Sequence, residues 1–395
     1  MAMTADIWGP LAGRYGASRP RRLLALDGGG IRGVLTLAIL AEVEKQLATA
    51  TGGGATFRLC QFFDYVAGTS TGAILAAGVA RGMSAQELIT FYTTLGPQIF
   101  KKEFVLQRLK HLYTADPLAA QLKNTFGEKT TLAPEDLGCL LLVVTRNVTT
   151  DSPWPISSVP VAKYNARSRP DCNLQIPLWQ LVRASTAAPI YFPPEILQWD
   201  AKNPDKTFVF VDGGMTPYNN PSFLLYRMAT ASAYQLGWAK GERNLMLVSI
   251  GTGAAATAGP ESETPELNIA STLVGLPGAL MYGASVDQDI NCRVIGRCVY
   301  GAPLDRELGD MIPRDGQGRE LPLARDLGRH FLYARYNADL SESGLDQLGV
   351  SGVDGEAVRK LDAVDQVDNL FRIGQAAAKE VQLTKQFGAF VAGSS

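Results

Sequence analysis

The sequence predicts an α/β fold, a mostly parallel sheet covered by helices on both faces, from three observations. Short apolar runs alternate with segments of helical periodicity. Two of these runs pass directly into glycine-rich turns that open helices. Apolar residues make up 46% of the 395 positions, enough for a large buried core.

The elements follow in order. Residues 1–21 read as a loose N-terminal arm rich in Gly, Pro and Arg. Arg22–Leu26 reads as a buried strand that runs into Asp27-Gly28-Gly29-Gly30-Ile31-Arg32-Gly33. Leu35, Ile39, Val43 and Leu47 recur at helical spacing, and Gly52–Gly54 closes that helix. Phe62–Ala67 reads as a second strand, followed by Gly68-Thr69-Ser70-Thr71-Gly72 and a helix of small residues over Ala73–Arg81. Ser84 and Glu87 form a capping box for a helix toward Phe100. Leu140–Thr145, Phe208–Val211 and Leu245–Ile250 are further strands, the last entering Gly251-Thr252-Gly253. Residues 254–270 turn small and acidic and read as a surface loop. Beyond them, helical patterns surround one strand candidate, Phe331–Tyr336. The division is therefore an arm (1–21), a core (22–253) and a mainly helical C-terminal extension (254–395). Whether the extension is a separate domain or packs over the core is left open.

Composition narrows the function. Lys and Arg total 37 against 38 Asp and Glu, a net charge of −1, which argues against a nucleic-acid duplex as partner. Five cysteines without a C-x-x-C pair suggest neither a disulfide framework nor a zinc site. With two histidines, His111 and His330, and no H-E-x-x-H, no metal is expected. The N-terminus lacks an apolar signal region and no stretch of ~18 apolar residues occurs, so a cytoplasmic protein is expected.

Gly68-Thr69-Ser70-Thr71-Gly72 is a G-x-S-x-G between a strand and a helix, the context a nucleophile elbow requires. The sharp turn exposes the serine at the positive end of a helix, and glycines on both sides let neighbouring backbone approach. Such a serine needs a base. His330 lies downstream and would complete a Ser–Asp–His order, although a lone histidine near a strand or amphipathic helix is more often structural. Asp212 is the stronger candidate, because it ends an apolar strand just before Gly213-Gly214, where partial desolvation raises basicity. An Asx turn alone would also explain an aspartate there. Consecutive amides of the Asp27–Gly33 loop, at a helix N-terminus with Arg32 close by, suit an oxyanion. The same residues match the G-x-G-x-x-G of dinucleotide sites. Glu42 and Glu44 fall inside the first helix, however, and the next strand leads to the serine rather than to a ribose-binding acid.

The ordered set DGGGIRG, GTSTG and DGG resembles the patatin-like phospholipases. Phe63–Ala67 before the elbow and Ala184–Pro189 before Tyr191-Phe192-Pro193-Pro194 also resemble that family, over roughly residues 22–253. The resemblance implies a patatin-like three-layer α/β/α sandwich and a serine acyl hydrolase of membrane phospholipids. It assigns Ser70 as nucleophile, Asp212 as base, and Gly28, Gly29, Gly30, Arg32 and Gly33 as the oxyanion and substrate-binding loop, with Gly68, Gly72, Gly213 and Gly214 supporting the motifs. No cofactor is implied. Phe331–Asn337 is similar to bacterial patatin-like effectors of antiphage signalling, which implies activation by a cyclic nucleotide, a change in homo-oligomeric state and peripheral access to the inner membrane. Leu273–Tyr282, apolar and broken as a helix by Pro277, and the basic amphipathic stretch Phe104–Tyr113 are candidate lipid contacts. Two other readings stand beside this one: a nucleotide-binding regulatory module using the GGGIRG loop, and a lipid esterase without gating.

Overall fold

A computed structural model of the protein describes residues 5–16, 18–99, 117–189, 191–200, 202–254 and 269–392. Nine strands among them form one sheet: β1 (Arg21–Leu26), β2 (Tyr65–Thr69), β3 (Leu140–Asn147), β4 (Ser152–Ser157), β5 (Glu195–Gln198), β6 (Thr207–Asp212), β7 (Leu245–Ile250), β8 (Arg297–Tyr300) and β9 (Leu332–Tyr336). Their order is β5-β6-β3-β2-β1-β7-β9-β8, with β4 also on β3. From β3 through β8 every pairing on this path is parallel, whereas β4, β5 and β6 join antiparallel.

The central strands are buried on both faces, as parallel strands between helices must be. Leu24 and Leu26 of β1 enter one core, with helices Gly33–Ala50, Thr71–Ala80 and Val367–Ala377. Leu23 and Ala25 enter the other, with helix Ser222–Thr230 and the aromatic residues Trp8 and Tyr15. The alternation follows the two-residue period of a strand. This is the α/β/α layering that the sequence predicts.

Two expectations change, on the arm and on Pro277, and between them the question left open about the extension is answered. The arm is not loose within its described residues: Ala5–Trp8 and Ala12–Gly16 are helical, and Trp8 and Tyr15 are buried. Arg14 and Arg19 pair with the buried carboxylate of Asp64, and the Tyr15 hydroxyl donates to the Asp64 carbonyl at 2.6 Å. These polar anchors make the arm part of the fold, which its composition does not reveal. The extension is no separate domain, because its β8 and β9 continue the sheet beyond β7. Second, one helix runs from Ile269 to Ile295, straight through Pro277. A proline removes one backbone hydrogen bond, and a long ladder on either side can carry the loss. The 254–270 loop lies outside the described residues from 255 to 268, and Phe104–Tyr113 with His111 lies outside them entirely.

One buried ion pair ties the extension to the first motif. Arg335 of β9 donates two hydrogen bonds to Asp27, at 2.8 and 2.5 Å, and a third to Ser249 at 2.7 Å. Burial pushes the Asp27 carboxyl up, and Arg335 opposes that shift. Removing one partner strands the other charge, so Arg335→Met should cost about 3–5 kcal/mol in chemical unfolding. Adding Asp27→Asn should recover much of the loss; no recovery in the double variant would contradict the pairing.

Candidate active site

The elbow is a local consequence of sequence. β2 ends at Thr69 and a helix begins at Thr71, so Ser70 must reverse the chain alone, at φ 53° and ψ −125°. A left-handed φ on a non-glycine residue is strained, and a packed surround must hold it. That surround is tight. A Cβ on Gly72 would sit 2.1 Å from the Leu26 carbonyl oxygen, so only glycine allows the elbow helix to approach β1. The Ser70 amide donates to Ser185 Oγ at 2.9 Å, and Ser185 Oγ donates to the Val144 carbonyl at 2.6 Å.

Sheet register brings the second group to the same place. Thr69 lies opposite Val144 of β3, and Asp212 lies opposite the next residue, Thr145. Ser70 Oγ donates to Asp212 Oδ2 at 2.5 Å, and the Gly214 amide donates to Oδ1 at 2.7 Å. Gly213-Gly214 thus forms the turn that orients the carboxylate. Burial pushes the Asp212 carboxyl up to about 6, while the hydrogen bonds from Ser70 and Gly214 pull the other way. The pair is a hydroxyl on a carboxylate of raised basicity, with a proton path along one hydrogen bond.

The glycine loop lies against this pair: a Cβ on Gly28 would fall 3.2 Å from Ser70 Cβ. Thr71 Oγ1 donates to the Gly30 carbonyl at 2.6 Å, bracing loop to elbow. The Gly28 amide is committed to the Asn219 carbonyl at 3.0 Å, the Ile31 amide to the Leu361 carbonyl at 2.9 Å, and the Arg32 amide to the Gly29 carbonyl at 3.2 Å. Gly33 caps back onto Gly30 and Ile31. The loop therefore offers the Gly29 and Gly30 amides as donors without an acceptor among the described residues, while the Gly28 amide is already bonded to Asn219.

His330 is elsewhere. β2 and β9 both run parallel within the sheet; Ser70 follows the end of β2, whereas His330 precedes the start of β9, and so lies at the opposite edge. His330 Nδ1 is 2.6 Å from the Tyr226 hydroxyl. Ser185 and Asn219 also shape the site, although neither belongs to the elbow, the glycine loop or the Asp-Gly-Gly turn. Their signal was there in the small-residue run 184–188 and in Asn219-Asn220 before Pro221. Among the described residues, no group of three or more His, Cys, Asp or Glu is placed to hold a metal ion, and no helix is long and apolar enough to cross a membrane.

A carboxylate that must accept a proton sets a pH limb. Ester hydrolysis should rise as pH passes through about 6, where Asp212 ionises. Stability should move oppositely. The folded carboxyl titrates above its unfolded value, so the folded state holds the extra proton between about pH 4 and 6, and stability falls as pH rises through that window. Asp212→Asn should therefore unfold later than the parent at pH 8, by on the order of 2–3 kcal/mol, and show little gain near pH 4. Equal gains at both pH values would contradict a raised Asp212.

Comparison with known proteins places these motifs in a family context. The model for patatin-like phospholipases matches residues 24–225. The chain is 33% identical over 214 residues to a cGAMP-activated phospholipase of Vibrio cholerae serotype O1, covering 51% of this chain and 56% of that protein. It is 32% identical over 214 residues to a cGAMP-activated phospholipase of Escherichia coli, covering 52% and 55%. With Patatin-17 of Solanum cardiophyllum the identity is 30% over 251 residues, covering 59% and 61%. In each case the match spans less than two thirds of the relative's own length.

Proposed function

Since the chain belongs to the patatin-like phospholipase family, we propose that it hydrolyses fatty-acyl esters of membrane phospholipids with Ser70 as nucleophile and Asp212 as base. The observation that carries this reading is the 2.5 Å hydrogen bond from Ser70 Oγ to Asp212 Oδ2 at a strained elbow. Asp212 takes the Ser70 proton as Oγ bonds to the ester carbonyl carbon. The Gly29 and Gly30 amides receive the oxyanion. Collapse breaks the carbon–oxygen bond to the lysolipid, which leaves with the proton held by Asp212. Water, deprotonated by the same carboxylate, then releases the fatty acid and restores Ser70.

Gating belongs to the same proposal. Two relatives are named cGAMP-activated phospholipases, and an ungated hydrolase in the cytoplasm would attack the inner membrane of its own cell. A cyclic nucleotide made on phage infection is the proposed signal, with a change of homo-oligomeric state on activation. Moving a population from 1:99 to 99:1 requires ~10⁴-fold tighter binding to the active state.

The test is fatty-acid release from phosphatidylglycerol vesicles with and without cGAMP, together with fluorophosphonate labelling. Release that depends on cGAMP, with label on Ser70, is expected. Full release without nucleotide would leave an ungated lipid esterase. Binding of NAD or ATP with no labelling and no release would favour a nucleotide-binding module instead.

A further inference from the structure

Beside the glycine loop lies a cavity of about 550 Å³ that neither Ser70 nor Asp212 lines. Its size is that of small-molecule sites, which run ~300–1,000 Å³. Its wall joins the motif loops to the extension, and four guanidinium groups contribute: Arg32, Arg293, Arg335 and Arg359. Two of them are neutralised. Arg293 pairs with Asp289 at 2.8 Å, and Arg335 pairs with Asp27 at 2.5 Å.

Neither of the other two makes a salt bridge among the described residues, and Arg32 feels the carboxylate of Asp27 only at longer range. Arg32 makes one long hydrogen bond, from Nε to the Gly29 carbonyl at 3.4 Å, and Arg359 Nε donates to the Gly355 carbonyl at 3.0 Å. Both side chains are half-buried. The remaining lining carboxylate, Asp339, is exposed and accepts from the Ser341 amide. A second, independent sign is Asn219, a residue of the cavity wall whose Oδ1 is buried against the glycine loop and has no donor among the described residues. Buried polar atoms are almost always satisfied, and orphans point to something that completes them. Burial also pushes the Arg32 guanidinium down to about 10, a cost that a bound anion would offset.

We propose that this cavity is a phosphodiester site, in which Arg32 and Arg359 hold the phosphate oxygens and Asn219 Oδ1 accepts a hydrogen bond from an N–H or O–H of the ligand. Guanidinium forks match phosphate oxygens in shape as well as charge. Asn219 connects the cavity to the chemistry, since its carbonyl accepts from the Gly28 amide and its Nδ2 donates to the Gly28 carbonyl at 3.3 Å. Arg32 belongs to the loop itself. A ligand drawing on both residues acts directly on the backbone that carries the Gly29 and Gly30 amides. The site deepens the gating reading and rests on it for the ligand's origin, because the same chemistry occurs in a cyclic dinucleotide and in a phospholipid headgroup.

The experiment uses the full chain carrying Ser70→Ala, so that no lipid is consumed. Affinities for cGAMP and for phosphatidylglycerol vesicles are measured in this parent, in Arg359→Ala and in Arg359→Lys. Arg359 ends a short helix at a half-exposed position, and the lysine variant keeps the charge, which separates lost binding from lost folding. At least ~10-fold weaker cGAMP binding in Arg359→Ala, with partial recovery in Arg359→Lys, is the expected result. If cGAMP does not bind but vesicle affinity falls in the alanine variant, the site stands with a headgroup as ligand and the gating reading fails. If cGAMP drives lipid release by the Ser70 enzyme while its affinity is unchanged by Arg359→Ala, gating stands and this site is wrong. Absence of binding by both probes overturns the site.

Discussion

Ser70→Ala should lower ester hydrolysis by at least ~10⁴-fold, and Asp212→Asn should do the same, with unfolding still cooperative in both. The two losses should not add. Without the base, Ser70 keeps its proton; without the nucleophile, the base has no proton to take. The 2.5 Å contact makes them one chemical unit. His330→Ala supplies the contrast. Its ring meets Tyr226 at the other edge of the sheet, so its turnover should stay near that of the parent. The measurement is steady-state release from a short-chain ester. More than a few per cent of activity in Asp212→Asn, with loss in His330→Ala, would replace the dyad by a triad.

Gly30→Ala should reduce kcat by ~10²–10³-fold with a smaller effect on KM. Gly30 holds φ at +59°, and a Cβ there would meet the Leu361 carbonyl oxygen at 2.3 Å. That oxygen belongs to the backbone and already accepts from the Ile31 amide, so it has little freedom to withdraw. The loop must turn instead, carrying the Gly29 and Gly30 amides away from the carbonyl oxygen they are to stabilise. Single-turnover rates and substrate affinity separate this from a binding defect. A raised KM at unchanged kcat would assign the loop to substrate binding alone.

Much of this was legible because the signals are local. The apolar runs at 22–26, 140–145, 208–211 and 245–250 all fall within strands, and Ser84 and Glu87 do bond reciprocally as a capping box. The elbow was legible for the same reason, since a strand, one strained residue and a helix occupy consecutive positions. What stayed hidden depends on partners far along the chain. β4 carries Pro153, Trp154 and Pro155, and β5 and β8 are four residues each, so none shows a clean two-residue alternation. Phe62 ends a helical turn and the second strand starts only at Tyr65, because a continuous apolar run carries no period of its own. The commitment of the Gly28 amide to Asn219, and of the Ile31 amide to Leu361, cannot be read from a glycine-rich motif. Only the folded chain decides which of several equivalent amides is left free.

The bond between Ile31 and Leu361 also bears on the order in which a working enzyme comes into being. The elbow and its first neighbours leave the ribosome early, but the acceptor that fixes the glycine loop lies more than 300 positions after Ile31, and Arg335, the counter-charge of Asp27, lies more than 300 positions after Asp27. At ~5–20 residues per second, translation separates motif and brace by on the order of tens of seconds. A nascent chain would therefore display the proposed nucleophile long before the proposed oxyanion loop is braced. On the proposed chemistry, a product truncated before residue 335 should therefore release no fatty acid from a short-chain ester, the same measurement that tests the dyad.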